Sequence, residues 1–237
     1  MLRTRFQEVY KTRYPIIQAG MGPYNTTNIA ASELINTVIE RINRDDGVLQ
    51  KCTAIVTSAG DPLLWSPDPG DRKLAKSVSI KRELPKVTWC HVVPSVKAAK
   101  RCEKADVDVI IASGREVGAH CSWRDVSSMV LIPEVMAAVQ KPVVAAGGFA
   151  DGRTLVAALA LGAIGVQMGT RFIATRESDF DQAWKEILVK ATEEDTLVAR
   201  DFFGPMRFIR NTRAIELVDA AVRGCPDLYK RIPCGST

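Results

Sequence analysis

Short apolar runs alternate with helical patterns along the whole 237-residue chain. Most of these runs are apolar at nearly every position, which is typical of strands that are buried on both faces of a parallel sheet. Between them, apolar residues recur at helical spacing, as in Leu34, Val38 and Ile42. We also predict that Asp151 caps the start of the helix in "DGRTLVAALALG", that Gly162 follows its end, and that "GPMRFIRNTRAIELVDAAV" closes the chain as a last helix. Repeated strand–helix units predict an α/β fold. The predicted strands are residues 14–19, 53–58, 87–93, 107–112, 142–146 and 164–168.

Two architectures fit this alternation, an open doubly wound sheet and a closed (β/α)₈ barrel. Glycine-rich turns follow at least the last three predicted strands, which is more than the single switch point of an open sheet requires. The barrel is therefore favoured, although about six of its eight strands are recognisable. Roughly thirty residues separate the first strand from the second, and they contain one helical pattern and no further strand. We predict one TIM-barrel-type domain over residues 1–237.

The composition excludes several functional classes. The chain is 46% hydrophobic and 25% charged, as in ordinary globular proteins. Its net charge of +5 is scattered, which argues against a nucleic-acid partner. No apolar run reaches the roughly 18 residues that a membrane span needs, and the N-terminus lacks the apolar core of a secretory signal. The six cysteines form no CxxC pair, so we expect a cytoplasmic protein with reduced thiols and no metal.

Two consecutive strands end in glycine-containing turns, in "PVVAAGGFADG" and "GAIGVQMGT". In barrels, the loops after the last two strands commonly bind phosphate, because glycine lets backbone N–H groups approach the anion closely. Gly147, Gly148, Gly169 and Thr170 fit that role, and Thr170 adds a hydroxyl donor. The alternative is that these glycines only make tight turns.

A third glycine-rich strand end, "ASGREVGAH", leads to His120, one of only two histidines. Imidazole titrates near neutrality, which suits general acid–base catalysis; the alternative is a surface or helix-capping histidine. Ser113 and Gly118 precede it. His91 lies inside a predicted strand, where a packed core residue is expected, and Cys121 is not expected to act as a nucleophile. The first strand ends in "QAGM", with Gln18, whose role is more simply packing than binding.

Together, "PIIQAGM", the stretch from "HVVPS" to "GREVGAH", the block from "LIPEVM" to "GTRFIAT" and "FIRNTRA" resemble the nitronate monooxygenase family of FMN-dependent barrels, formerly called 2-nitropropane dioxygenases. The resemblance implies oxidation of small nitronates or nitroalkanes by molecular oxygen, with His120 as the catalytic residue. It also implies the FMN contacts Gln18, Ala19, Met21, Ser113, Gly118, Gly147, Gly148, Gln167, Met168, Gly169 and Thr170.

Measured against that family, residues 23–52 are shortened, and the family's second and third strands are missing. Ser113 and Ala119 also replace a glutamine and a glycine. The loss would expose two strand edges, which a second copy of the chain in a homo-oligomer or rearranged loops would have to cover. Two alternatives therefore stay open: a flavin-dependent enoyl-thioester reductase of shared ancestry, and a non-catalytic remnant that binds a phosphorylated ligand or nothing.

Overall fold

A computed structural model describes residues 4–10, 14–18, 28–45, 47, 52–58, 60–66, 79–201 and 204–223. The strands are β1 (Ile16–Gln18), β2 (Ala54–Ser58), β3 (Thr88–Val93), β4 (Val109–Ser113), β5 (Ala119–His120), β6 (Val143–Ala146), β7 (Gly165–Met168), β8 (Thr196–Asp201) and β9 (Gly204–Ile209). The α-helices are α1 (Arg5–Tyr10), α2 (Asn28–Arg44), α3 (Ile80–Glu83), α4 (Val96–Lys104), α5 (Ser128–Ala138), α6 (Gly152–Ala160), α7 (Thr170–Ile173), α8 (Gln182–Lys190) and α9 (Thr212–Arg223), and Pro62–Trp65 is a 3₁₀ helix.

The six predicted strands form one parallel sheet in the order β1-β7-β6-β4-β3-β2. The sheet curls into a half-barrel with helices around it, which confirms the prediction of an incomplete TIM barrel. The chain order of β1 and β2 is consecutive, yet they occupy the two opposite edges of the sheet. A closed barrel would hold its two further strands between these edges.

Both faces of the central strands are buried, which explains their unbroken apolar sequence. On the helical side, Ala112 of β4 belongs to a cluster with Cys102 of α4 and Val135 of α5. On the inner side, Ile111 clusters with Val144 of β6 and with Phe6, which comes from α1. At the β2 edge the inner side is open, and Val56 is 46% exposed.

A second sheet, β5-β9-β8, is antiparallel and was not predicted from the sequence. The segment "GPMRFIRNTRAIELVDAAV" read as a closing helix, but that prediction is wrong for its first part, which forms β9. Gly204 has a φ of +136°, which only glycine adopts easily, and Pro205 lies in the strand rather than in the helix interior, where proline is disfavoured. The helix α9 begins only at Thr212. Among the described residues, the helices are too short or too polar to span a bilayer.

Candidate functional site

The carboxyl ends of β4, β6 and β7 meet at one edge of the half-barrel, where a cavity of about 180 Å³ opens. Parallel strands bring the turns that follow them to the same edge, so residues far apart in the chain share this cavity. Its lining comes from the β4–β5 loop and from the turns after β6 and β7. The lining residues are Glu116, Val117, Gly118, Ala146, Gly147, Gly148, Phe149, Ala150, Gln167, Gly169, Thr170 and Arg171.

The turn after β6 combines two glycines in a left-handed conformation with backbone N–H groups that differ in whether they are bonded. Gly147 and Gly148 have φ values of +93° and +80°, a region that favours glycine. The N–H groups of Ala150 and Asp151 are each 3.0 Å from the Thr154 hydroxyl, so they are already bonded. Within the described chain, no protein acceptor takes the N–H groups of Gly148 and Phe149, or of Thr170 and Arg171 across the cavity.

A capping box fixes the start of α6 beside this turn, as the sequence predicted for Asp151. The Thr154 N–H donates to the Asp151 carboxylate over 2.9 Å. That bond, reinforced by the Arg153 side chain, lowers the pKa of Asp151 to about 2, so the cap stays ionised over the physiological range. At the other end of α6, Gly162 has a φ of +95°, in agreement with its prediction as the residue that ends the helix.

The structure brings six of the predicted flavin contacts into one cavity: Gly118, Gly147, Gly148, Gln167, Gly169 and Thr170. Others lie elsewhere. Ser113 and Met168 are buried, and Met168 packs in the cluster on the helical side of the sheet. Gln18 is exposed on β1, opposite Met168 in the strand register. Ala19 and Met21 lie outside the described residues. The roles of all eleven residues as flavin contacts stay predictions.

The predicted catalytic residue, His120, lies on β5 and is exposed; it does not belong to the cavity lining. Its neighbour Ala119 has a φ of +59°, a left-handed conformation that costs an alanine roughly 1–2 kcal/mol. This backbone requirement is the physical reason for a glycine in the pattern that the resemblance implies. The strained residue Ala119 therefore connects Gly118, which lines the cavity, to His120.

The other histidine is a packed core residue, as the sequence predicted, and the cysteine beside His120 is partly buried. His91 is buried at 1% exposure, and its Nδ1 is 2.7 Å from the hydroxyl of Thr57. Burial lowers the pKa of His91 to about 4, against an opposing effect of the Asp61 charge. Burial also raises the pKa of the Cys121 thiol, chiefly by desolvation, which disfavours the nucleophilic thiolate. In the described part of the chain, no three or more His, Cys, Asp or Glu side chains are placed to hold a metal ion.

Glu116, Phe149 and Arg171 are among the cavity residues that were not singled out from the sequence. Arg171 directly follows Thr170, and a cation after a predicted phosphate turn is a usable signal. Glu116 lies inside "GREVGAH", but its partner is Ser128, twelve residues further on. No local spacing rule connects those two residues, because the contact depends on how α5 packs against the end of β4.

Comparisons with known proteins agree with this architecture. A family model described as nitronate monooxygenase matches residues 74–229. The (3aS,4S,5R,7aS)-5-hydroxy-7a-methyl-1-oxo-octahydro-1H-indene-4-carboxyl-CoA dehydrogenase of Rhodococcus jostii (strain RHA1) is 31% identical over 92% of this chain and 68% of its own length. A probable nitronate monooxygenase of Staphylococcus aureus (strain JH9) is 36% identical over 56% of this chain, but only 40% of its own length is covered.

Solved structures with a similar fold include two enzymes. FabK from Thermotoga maritima has a TM-score of 0.71 at 28% identity, and the match covers 97% of this chain and 81% of FabK. A nitroalkane oxidase from Streptomyces ansochromogenes has a TM-score of 0.65 and covers 94% of this chain and 84% of the oxidase, but its 24% identity supports the fold alone. Both are TIM-barrel enzymes, of which this chain has a shortened version.

Proposed function

Because the chain belongs to the nitronate monooxygenase family of flavin-dependent oxidoreductases, we propose that it binds FMN and oxidises nitronates or nitroalkanes with molecular oxygen. The observation that supports this proposal is the cavity between the turns after β6 and β7. Two glycine turns and one loop converge there, and four backbone N–H groups of the two turns have no protein acceptor in the part of the chain that the structure describes.

The residues of the cavity fit the phosphate end of FMN. The N–H groups of Gly148 and Phe149 have no acceptor in the described chain, and both residues line the cavity with Thr170 and Arg171, so main-chain donors, a hydroxyl and a guanidinium are available to a phosphate. A Cβ added to Gly118 would lie 3.7 Å from the Thr170 hydroxyl, so a side chain there would narrow the space between the two loops. When bound, FMN supplies the electron transfer to oxygen, and the protein supplies position and charge.

His120 is proposed to accept the α-proton of a neutral nitroalkane, or to lie beside the nitro group of an anionic nitronate. It is exposed at the end of the loop that contributes Gly118 to the cavity, so a proton can reach it from solvent. The loop starts at Gly114, whose N–H donates to the carbonyl of Ala146 over 3.0 Å. The same backbone junction therefore positions the proposed base and the proposed phosphate site.

A pair of arginine variants tests the phosphate site. Arg171→Gln removes the guanidinium of a cavity-lining residue and is expected to weaken FMN binding about tenfold, as the loss of one charge-assisted hydrogen bond would. Arg176→Gln is the matched control, because Arg176 is exposed five residues further along and lies outside the cavity lining. Affinity is measured by quenching of flavin fluorescence. Equal affinities in both variants, or no FMN binding by the unaltered protein, would contradict the proposal.

A second candidate function is redox chemistry on a CoA thioester. The observation that favours it is the Rhodococcus jostii relative, a carboxyl-CoA dehydrogenase whose similarity extends over 92% of this chain. The flavin site would be the same, and the difference would lie in the substrate and in the partner that exchanges electrons with the flavin.

Oxygen uptake separates the two candidates. Nitronate oxidation consumes oxygen when propyl-2-nitronate is added and needs no nicotinamide. An enoyl-thioester reductase would instead consume NADH or NADPH stoichiometrically under nitrogen when crotonyl-CoA is supplied. Turnover with crotonyl-CoA alone would replace the first candidate with the second, and a colourless protein whose melting temperature is unchanged by excess FMN would exclude both.

A further inference from the structure

The carboxylate of Glu116 connects two segments at the cavity edge. Its two oxygens accept the backbone N–H of Ser128, at 2.9 and 3.2 Å, where helix α5 begins. The Ser128 hydroxyl is 2.7 Å from the same carboxylate. The preceding residue, Ser127, is the N-cap but makes no side-chain capping bond, so a carboxylate from the β4–β5 loop caps α5 instead.

The Ser128 hydroxyl also reaches the phosphate turn. It lies 2.8 Å from the carbonyl oxygen of Gly147 and 3.1 Å from that of Ala146. Glu116, Ser128 and Gly147 therefore form one connected set, which we call the Glu116 clamp. The clamp joins the loop that carries Gly118 and His120 to the turn after β6.

The chain segments of the clamp approach so closely that Gly114 and Gly147 have no room for a side chain. A Cβ on Gly114 would lie 2.6 Å from the Cα of Ser128 and nearer still to its nitrogen and hydroxyl. A Cβ on Gly147 would lie 2.9 Å from the same hydroxyl and 3.1 Å from the carbonyl oxygen of Gly114. Two glycines thus let three chain segments meet around one serine, which leaves little freedom for the loop to shift.

We infer that Glu116 is a positioning residue for the proposed flavin site: it holds the loop 114–120 against the turn after β6 through Ser128. This inference rests on the proposed function. The role needs an acceptor for the Ser128 N–H, and it needs no proton transfer by Glu116. It differs from a general stabilising role because the loosened segments would be those at the cavity.

The hydrogen bonds of the clamp indicate which substitution at position 116 should preserve it. The Ser128 hydroxyl has one proton, and three acceptor oxygens lie within 3.1 Å of it. A glutamine at position 116 keeps a carbonyl oxygen for the Ser128 N–H, and its amide can donate to the hydroxyl oxygen, which leaves the hydroxyl proton for Gly147. An alanine at 116 provides neither group.

Four variants test the clamp in the ligand-free protein and with FMN. Glu116→Ala is expected to speed amide hydrogen exchange in residues 114–120 and at Ser128 by at least about tenfold, and to weaken FMN binding and slow nitronate turnover by about 10- to 100-fold. Glu116→Gln should recover most of each loss. Ser128→Ala keeps the N–H bond to Glu116 but not the link to Gly147, so its effect should be intermediate. Glu134→Ala removes an exposed carboxylate from the same helix and should change nothing.

The outcomes separate the clamp from the function on which it rests. If the unaltered protein binds no FMN, the proposed function fails, while hydrogen exchange without ligand still decides whether the clamp exists. Unchanged exchange and unchanged FMN affinity in Glu116→Ala would overturn the inference. Turnover as slow in Glu116→Gln as in Glu116→Ala, with exchange restored, would also overturn it, because Glu116 would then act by proton transfer.

Discussion

The two histidines of this chain lie in opposite kinds of surroundings. His91 is enclosed by side chains: Thr57 is bonded to it, and the indole N–H of Trp89 donates to the same Thr57 hydroxyl over 2.9 Å. His120 is exposed on β5. Its position is set by the backbone, through the left-handed conformation of Ala119 and the pairing of His120 with Met206 of β9.

This contrast shows how the fold separates stability from the proposed chemistry. A buried histidine with a lowered pKa stays neutral and contributes to packing. An exposed histidine on a loop fixed by glycines can exchange protons with solvent, while the glycines leave room for a ligand. The side-chain network lies on the helical side of β2 and β3, and the backbone junction lies where β4 and β6 end.

Replacement of His120 should give the largest effect on turnover. His120→Asn is expected to slow turnover of neutral nitroalkanes by about 100-fold or more, since general acid–base groups contribute factors of that size. FMN affinity should remain, because His120 does not line the cavity. Steady-state oxygen uptake with 2-nitropropane measures the change.

The anionic nitronate provides the control for this variant. It has already lost the α-proton, so its turnover should fall much less than that of the neutral nitroalkane. Unchanged turnover of the neutral substrate by an intact, flavin-loaded His120→Asn protein would remove His120 from the mechanism.

The sequence was sufficient for the main sheet because its central strands are buried on both faces. Runs such as residues 107–112 then show no alternation, and the strand–helix order limits the topology. The six strands, the cap at Asp151 and the packed His91 followed from local patterns. The grouping of Gly118 with the turns after β6 and β7 was implied by the family resemblance, and it agrees with the rule that barrel loops meet at one edge.

The second sheet and the Glu116 clamp depend on long-range packing, so local patterns missed them. Strand β9 has apolar residues on both sides of Arg207, and it continues into "NTRAIELVDAAV", whose helical period dominated the prediction. The contact from Glu116 to Ser128 exists because Gly114 and Gly147 allow three segments to meet. Sequence spacing predicts neither the pairing of β9 nor the contact from Glu116 to Ser128.

A methyl group at Gly114 tests whether the backbone junction between β4 and β6 is as tightly packed as the comparison implies. Gly114→Ala is expected to lower the free energy of unfolding by about 3 kcal/mol or more, because the added Cβ would overlap backbone atoms of Ser128 rather than a flexible side-chain end. Urea denaturation followed by circular dichroism measures the change.

Gly152→Ala is the matched control for this substitution. No atom lies within 4 Å of a Cβ added at Gly152, in the first turn of α6, so stability should stay the same or rise by up to about 1 kcal/mol. Equal stabilities of the two variants would mean that the junction between β4 and β6 has more room than its close contacts indicate.

Acid titration tests the side-chain part of the comparison. The folded protein keeps His91 neutral down to a pKa of about 4, whereas the unfolded chain takes up this proton near the ordinary value of 6.5. Between these values the unfolded state binds more protons, so the free energy of unfolding falls as the pH is lowered. The His91 contribution to this loss is at most about 3 kcal/mol, and it levels off below about pH 4.

His91→Gln isolates that contribution, because glutamine does not titrate and the other ionisable groups are shared with the unaltered protein. The variant should be less stable at pH 7, where the bond to Thr57 is perturbed, yet its stability should fall less between pH 6.5 and pH 4. The difference between the two pH slopes, from urea denaturation at each pH, is the quantity to compare. Parallel slopes would show that His91 is protonated in the folded state as easily as in the unfolded chain. The two histidines would then differ in their exposure to solvent, but burial would not have lowered the pKa of His91.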